Sequence, residues 1–176
     1  MILGIDPNTT GAITLLRRNG ELVCHDIEKS VVQAIRFIRE HREEIEGAVI
    51  EHAQSFGQEG RASLVKFCMC RGSLWGALIA LQIPILNEPL PLAWKQAVGI
   101  ACNPPPRLQK GASDEEKVAR RRAMAVYNAG QKTKARERAA ALFPQGANLF
   151  SRVKDADRAE SALMAFYGKL IHGKER

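Results

Sequence analysis

The chain has 176 residues, 45% hydrophobic and 26% charged, an ordinary balance for a soluble domain with one proper core. Its 26 Lys and Arg against 19 Asp and Glu leave a net charge of +7, which favours a polyanionic partner. The composition argues against a membrane protein: no apolar stretch reaches spanning length, and Met1 leads straight into a strand-like run without a signal region.

An intracellular protein with no membrane partner is therefore expected. Cys24, Cys68, Cys70 and Cys102 have no C-x-x-C spacing and no histidines nearby to complete a zinc pattern, so free thiols in a reducing cytoplasm are expected.

In chain order, Ile2 to Ile5 reads as a buried strand, and Pro7 with the glycines marks a tight turn into a second strand, Ala12 to Leu16. Asn19-Gly20 is a hairpin signal leading into a third strand, Glu21 to Ile27. Ser30 with Gln33 resembles a capping box, opening a helix with Val31, Ile35, Ile38 and Ile45 inward and ending near Gly47. The strand GAVIEHA follows, then a polar, glycine-bearing loop from Gln54 to Gly60 whose only large apolar residue is Phe56. Residues 61 to 81 form a largely apolar helix in which Gly72 and Gly76 permit close approach of another element. IPIL, 83 to 86, reads as a further buried strand. The order is a three-stranded meander followed by alternating helices and strands, which makes a layered α/β or α+β domain.

Residues 103 to 131 differ in character. Three consecutive prolines enforce a loop, and KVARRRAMAVYNAG reads as a short helix bearing Arg120, Arg121 and Arg122. From 103 to 138 there are ten Lys or Arg against four Asp or Glu, so six of the seven net positive charges lie in this stretch.

Four acids stand out by position. Asp6 ends the first apolar strand and Glu51 ends GAVI, each a carboxylate at the mouth of a buried strand that needs cationic compensation. Asp157 and Glu160 lie three apart on a C-terminal helix and share a face. Converging from separate elements, the four would bind divalent metal for phosphodiester hydrolysis. Asp155 competes with Asp157, but on a helix it would point about 200° away from the cluster. His52 follows Glu51 and faces the opposite side of its strand, so it is given no catalytic role. Trp75 and Trp94 read as core residues, with Trp75 a candidate for an interface between copies.

In this order, GIDPNTTGAI, VIEHAQSF, CRGSLWGAL, PLAWKQAVGI, KARERAAALFP and DADRAESALMA resemble the RuvC-type Holliday junction resolvases of the RNase H-like nuclease superfamily, and most closely their compact phage versions. The segments span most of the chain. The resemblance implies a single RNase H-like domain over 1–176, with a mixed five-stranded sheet (antiparallel meander plus parallel strands) flanked by helices. It implies a homodimer in the cytoplasm of a bacterium or phage-infected cell. Carried over by position, Asp6, Glu51, Asp157 and Glu160 become catalytic ligands for two Mg²⁺ ions, with Mn²⁺ able to substitute. The family often has Asp at the last position; the longer Glu160 still offers the same oxygen donors. Four-way junction DNA is the implied substrate, nicked in symmetric pairs to leave 5′-phosphate and 3′-hydroxyl ends.

Phe56 occupies the place of the family's junction-wedging aromatic, with anchoring of the loop in the core as an equal alternative. Lys95, Lys132, Lys134, Arg136 and Arg138, with Arg120, Arg121 and Arg122, are the expected DNA contacts. The insertion at about 103–131 departs from the family pattern, as either an added DNA-binding element or a loop over the groove. Three competing functions use the same residues differently. One is an RNase H-like nuclease for flaps, other branched DNA or RNA–DNA hybrids. Another is a junction-binding protein without catalysis. The third, a sugar-kinase or actin-like ATPase, needs a second domain and a further glycine-rich loop that this chain lacks.

Overall fold

The computed structural model describes residues 1–27, 30–52 and 60–173. Five strands form one sheet in the order β3-β2-β1-β4-β5: β1 Ile2–Ile5, β2 Ala12–Leu16, β3 Leu22–Asp26, β4 Gly47–Ile50 and β5 Ile85–Asn87. β1, β2 and β3 pair antiparallel, while β4 runs parallel to both β1 and β5. This is the mixed sheet that the family resemblance implies. Among the described residues five α-helices flank it: α1 Val31–Glu40, α2 Arg61–Ala80, α3 Pro91–Ala97, α4 Asp114–Leu142 and α5 Ala156–His172.

Strand alternation sorts the core into two layers. Leu3, Ile5, Ile13, Leu15, Ala48 and Ile50 face α1 and α2, joining Ile38, Leu74 and Leu78. Leu16 and Val49 face the other way, toward Trp94, Ala135, Ala139 and the Ala159–Ala165 stripe of α5. On that second face α5 lies very close to the sheet. A Cβ on Gly4 would come within 2.1 Å of the Ser161 carbonyl and 2.3 Å of the Ala165 nitrogen. A Cβ on Gly168 would meet Ile2 at 2.7 Å and Val49 at 2.8 Å. Glycine is required at both positions for lack of space, not for backbone freedom. The contact carries a buried polar pair as well, Thr14 Oγ1 to Ser161 Oγ at 2.6 Å. Ser161 donates onward to the Arg158 carbonyl at 3.0 Å, so Thr14 is its donor and both hydroxyls are satisfied.

Several boundaries differ from expectation. β3 starts at Leu22 rather than Glu21, and β4 ends at Ile50, so His52 lies beyond the strand. α1 stops at Glu40, because a 3₁₀ turn, Arg42–Glu44, carries the chain to Ile45. β5 begins after Pro84, which has no N–H to give to a ladder, although its carbonyl accepts from Ala48 at 2.8 Å. The expected short helix at 117–130 is only the first half of α4, which is a continuous 29-residue helix. Ser113 and Glu116 close a capping box at its start, three acids favour its first turn, and Gly130 is absorbed within it. The tract at 103–131 is thus a loop plus half a helix. α2 corrects the expectation about spanning length: by length and composition it could cross a bilayer. Its Cys70, Leu74 and Leu78 pack into the core, while most of its other residues are not buried.

Two glycine substitutions test this packing. Gly4→Ala should destabilise the protein by at least about 3 kcal/mol, because the new methyl meets helix backbone that cannot yield. Gly130→Ala, with nothing within 4 Å of the added carbon, should stabilise it by about 1 kcal/mol. Urea unfolding of each variant measures both, and a destabilised Gly130→Ala protein would contradict a continuous α4.

Candidate metal centre and active site

The parallel pairing of β1 with β4 sets Ile5 beside Ile50, so the residues that follow, Asp6 and Glu51, emerge side by side at the carboxyl ends of adjacent strands. The ladder extends through both: Asp6 N–H donates to the Ala12 carbonyl at 3.0 Å and Glu51 N–H to the Ile5 carbonyl at 3.2 Å. Because Ile5 and Ile50 face the α1–α2 layer, alternation turns Asp6 and Glu51 toward α5. α5 meets them with its first turns. Carboxylate oxygens of Asp6, Asp157 and Glu160 all lie within 4.8 Å of one another. Glu51 stands beside this trio rather than inside it, held from behind by Arg71, whose Nε donates to the Glu51 carbonyl at 2.9 Å while its guanidinium pairs with Glu88.

The electrostatics record the crowding. Burial, then repulsion from Glu160, Glu51 and Asp157, pushes the Asp6 carboxyl well above the usual range, against a hydrogen bond from Asn8 N–H. Burial and the charge of Glu160 push Glu51 up to about 7, while Lys95 and Trp94 pull the other way. The Trp94 indole N–H lies close enough to favour the Glu51 anion, yet makes no hydrogen bond of ordinary geometry. Two lysines counter the excess negative charge: Lys95 Nζ lies 2.9 Å from Glu160 and Lys132 Nζ 3.2 Å from Asp157. Burial disfavours the Lys95 ammonium, but attraction to Glu160, Glu51 and Asp6 outweighs it and raises its pKa.

The donor set is oxygen only, clustered and electrostatically short of positive charge. Such a set suits hard divalent cations of the Mg²⁺ and Mn²⁺ class. Asp155 is elsewhere: buried in the 3₁₀ turn before α5, it accepts from Arg152 Nε and NH2 and lies 3.8 Å from Arg158. That ion pairing holds its carboxyl below the usual range.

The expected DNA contacts fall into three groups. Lys95 and Lys132 point at the acids. Arg138 donates to the Val98 carbonyl, Lys134 to Cys102 Sγ, Arg136 to the Ser151 carbonyl and Arg120 to the Pro106 carbonyl. Arg121 and Arg122 are exposed on the first half of α4. Phe56 lies outside the described residues. The sequence reading missed Arg71 and Trp94 as neighbours of Glu51; the only cue was their place in CRGSLWGAL and PLAWKQAVGI, the segments that flank the site.

A solved structure of Thermus thermophilus RuvC in complex with a Holliday junction substrate matches with a TM-score of 0.59 at 12% identity, over 99% of this chain and 95% of that one. A further Thermus thermophilus RuvC structure matches with a TM-score of 0.46 at 18% identity, over 96% and 95%. No protein-family model matches, and no curated protein sequence does. The chain has the RuvC-type, RNase H-like fold.

The upward shift of Glu51, from 4.5 to about 7, fixes the sign of a pH dependence. The folded protein binds that proton more tightly than the unfolded chain, so its stabilisation is complete below pH 4.5 and is lost as pH rises toward 7. Without metal, stability to urea should fall across this window by on the order of 3 kcal/mol from Glu51 alone. Glu51→Gln should flatten the fall, and Mg²⁺ at pH 8 should restore stability. A metal-free protein that gains stability from pH 5 to pH 7 would contradict the electrostatics of the site.

Proposed function

We propose that this protein is a divalent-metal-dependent, structure-selective DNA endonuclease that resolves four-way junctions. The observation that carries the reading is the convergence of Asp6, Asp157 and Glu160 within 4.8 Å at the carboxyl ends of the parallel strands. It is supported by the net charge of +7 and by the likeness in fold to a protein whose structure holds a Holliday junction.

In this reading Asp6, Glu51, Asp157 and Glu160 hold two Mg²⁺ ions, with Mn²⁺ able to replace them. When bound, the ions supply Lewis-acid polarisation of the phosphate and charge stabilisation of the leaving 3′ oxygen. Asp6, the most buried of these four acids, would be the central ligand. Lys95 and Lys132 balance the acids and keep the site from accumulating four uncompensated charges. The products are 5′-phosphate and 3′-hydroxyl ends.

Resolution by paired symmetric nicks needs two sites, and so a homodimer. α2 supplies a surface for it. Val65, Met69 and Ile79 are 56%, 66% and 51% exposed, and together with Gly72 and Gly76 they follow helical spacing along one stripe. The two glycines have open space around them, which lets a second α2 approach closely.

Cleavage of a labelled four-way junction tests the activity, with duplex, flap and RNA–DNA hybrid substrates alongside. Paired symmetric nicks with Mg²⁺, abolished by EDTA and by Asp6→Asn, are expected. Stronger cutting of flaps or hybrids would keep the nuclease and replace the substrate; tight binding without cutting under any divalent metal would remove the catalysis. For the assembly, light scattering should give a dimer mass for the wild type and a monomer mass for Met69→Asp/Ile79→Asp, with paired nicking lost in the variant. A wild-type monomer that still makes paired nicks would overturn the dimer.

A further inference from the structure

The buried residues of α4 are Gln131, Ala135 and Ala139, all in its second half. The first half, from Asp114 to Gly130, therefore overhangs the body of the protein, and the loop before it folds back on it. Arg120 Nε donates to the Pro106 carbonyl at 2.9 Å and Tyr127 Oη to the Cys102 carbonyl at 3.2 Å, two anchors that fix this loop against the helix. Beside the Arg120 anchor, toward the start of the helix, lies a cavity of about 250 Å³ lined by Leu108, Lys117, Arg120 and Arg121. Three of its four lining residues are cations. The nearest carboxylate partner is Asp114, paired with Lys117 at 2.8 Å and itself almost fully exposed.

Helical geometry relates this cavity to the acid cluster. Arg121 precedes Lys132 by eleven residues, so the two lie within about 20° of the same face and about 16 Å apart along the axis. Lys132 is the residue that touches Asp157. A single straight face of α4 therefore runs from the acids to the cationic cavity. Successive phosphates of one strand advance about 3.4 Å per nucleotide, so 16 Å corresponds to roughly five nucleotides.

We propose that this cavity is a phosphate site for the DNA duplex arm that leaves the cleavage centre, contacted by Lys117 and Arg121 and shaped by Arg120. The assignment rests on the nuclease reading for its polyanion but names a contact beyond the metal centre. It separates the three consecutive arginines: Arg120 is a tether that forms the wall, Arg121 faces the strand, and Arg122 lies round the side of the helix. A backbone contact carries no sequence information; its effect is to hold the arm in register with the acids.

The test uses junctions whose phosphates four to six nucleotides from the cleaved position are replaced by neutral methylphosphonates. Binding is measured by fluorescence anisotropy in the Asp6→Asn background, so that the DNA stays intact. The methylphosphonates should weaken binding by about tenfold. Lys117→Ala/Arg121→Ala should weaken binding of the natural junction by a similar factor, lower the log–log salt slope by about 2, and be indifferent to the methylphosphonates. Arg121→Lys should recover part of the loss, and thermal melts should show both variants folded. Methylphosphonates that weaken both proteins equally, or neither, would overturn the proposal. The nuclease reading is scored separately, by wild-type cutting of the natural junction. If cutting persists without a methylphosphonate effect, this contact alone is wrong; if the effect appears without cutting under any metal, the contact stands and the catalytic reading fails.

Discussion

The structure depends on one steric constraint, the absence of a side chain at Gly4. There the backbone of α5 rests directly on β1, closer than any Cβ would permit. That contact decides where Asp157 and Glu160 sit relative to Asp6, because the helix that carries them has no freedom to lift. The small residues Ala159, Ala162, Ala165 and Gly168 extend the fit along the helix. Strand alternation supplies the rest, turning Asp6 and Glu51 to the side on which α5 lies. The acid cluster is thus a consequence of close packing between a sheet and a helix, and needs no specialised loop to assemble it.

A second theme is the uneven distribution of charge. The chain is strongly basic, yet its most buried strand-end carboxylate lies among three other acids. Lys95 and Lys132 make this tolerable by ion pairing from α3 and α4 with Glu160 and Asp157 of α5. The pairs are partly desolvated, where attraction between opposite charges is stronger than at a free surface. Even so, four acids face only two lysines, and the cluster keeps an excess of negative charge.

Much of this was legible in the sequence because the signals were local. Apolar runs ending in an acid located β1 and β4, and the Asn19-Gly20 hairpin located β2 and β3. The i, i+3 spacing placed Asp157 and Glu160 on one face, and the geometry brings both to Asp6. Tertiary relations were not legible. Lys95 read as a surface contact for phosphate, since nothing in PLAWKQA reveals that its helix ends against Glu160. The continuity of α4 was not legible, because 117–130 read as a short helix within a distinct tract; the alanines and long charged side chains on both sides of Gly130 carry the helix through it. The role of Gly4 was equally hidden, because a glycine in a strand does not announce which neighbour it makes room for.

The continuous α4 also limits how this molecule can diverge. Its second half is keyed into the core by Gln131, Ala135 and Ala139, while its first half touches little else of the body. Insertions or deletions between 122 and 130 are therefore cheap for folding but not for aim. Losing one residue swings everything before it through about 100°, whereas a change of seven or eleven residues returns the same face to within about 20°. Length variation in this segment among descendants of the chain should be quantised by the helical repeat, with the overhang acting as a ruler whose graduations are whole turns.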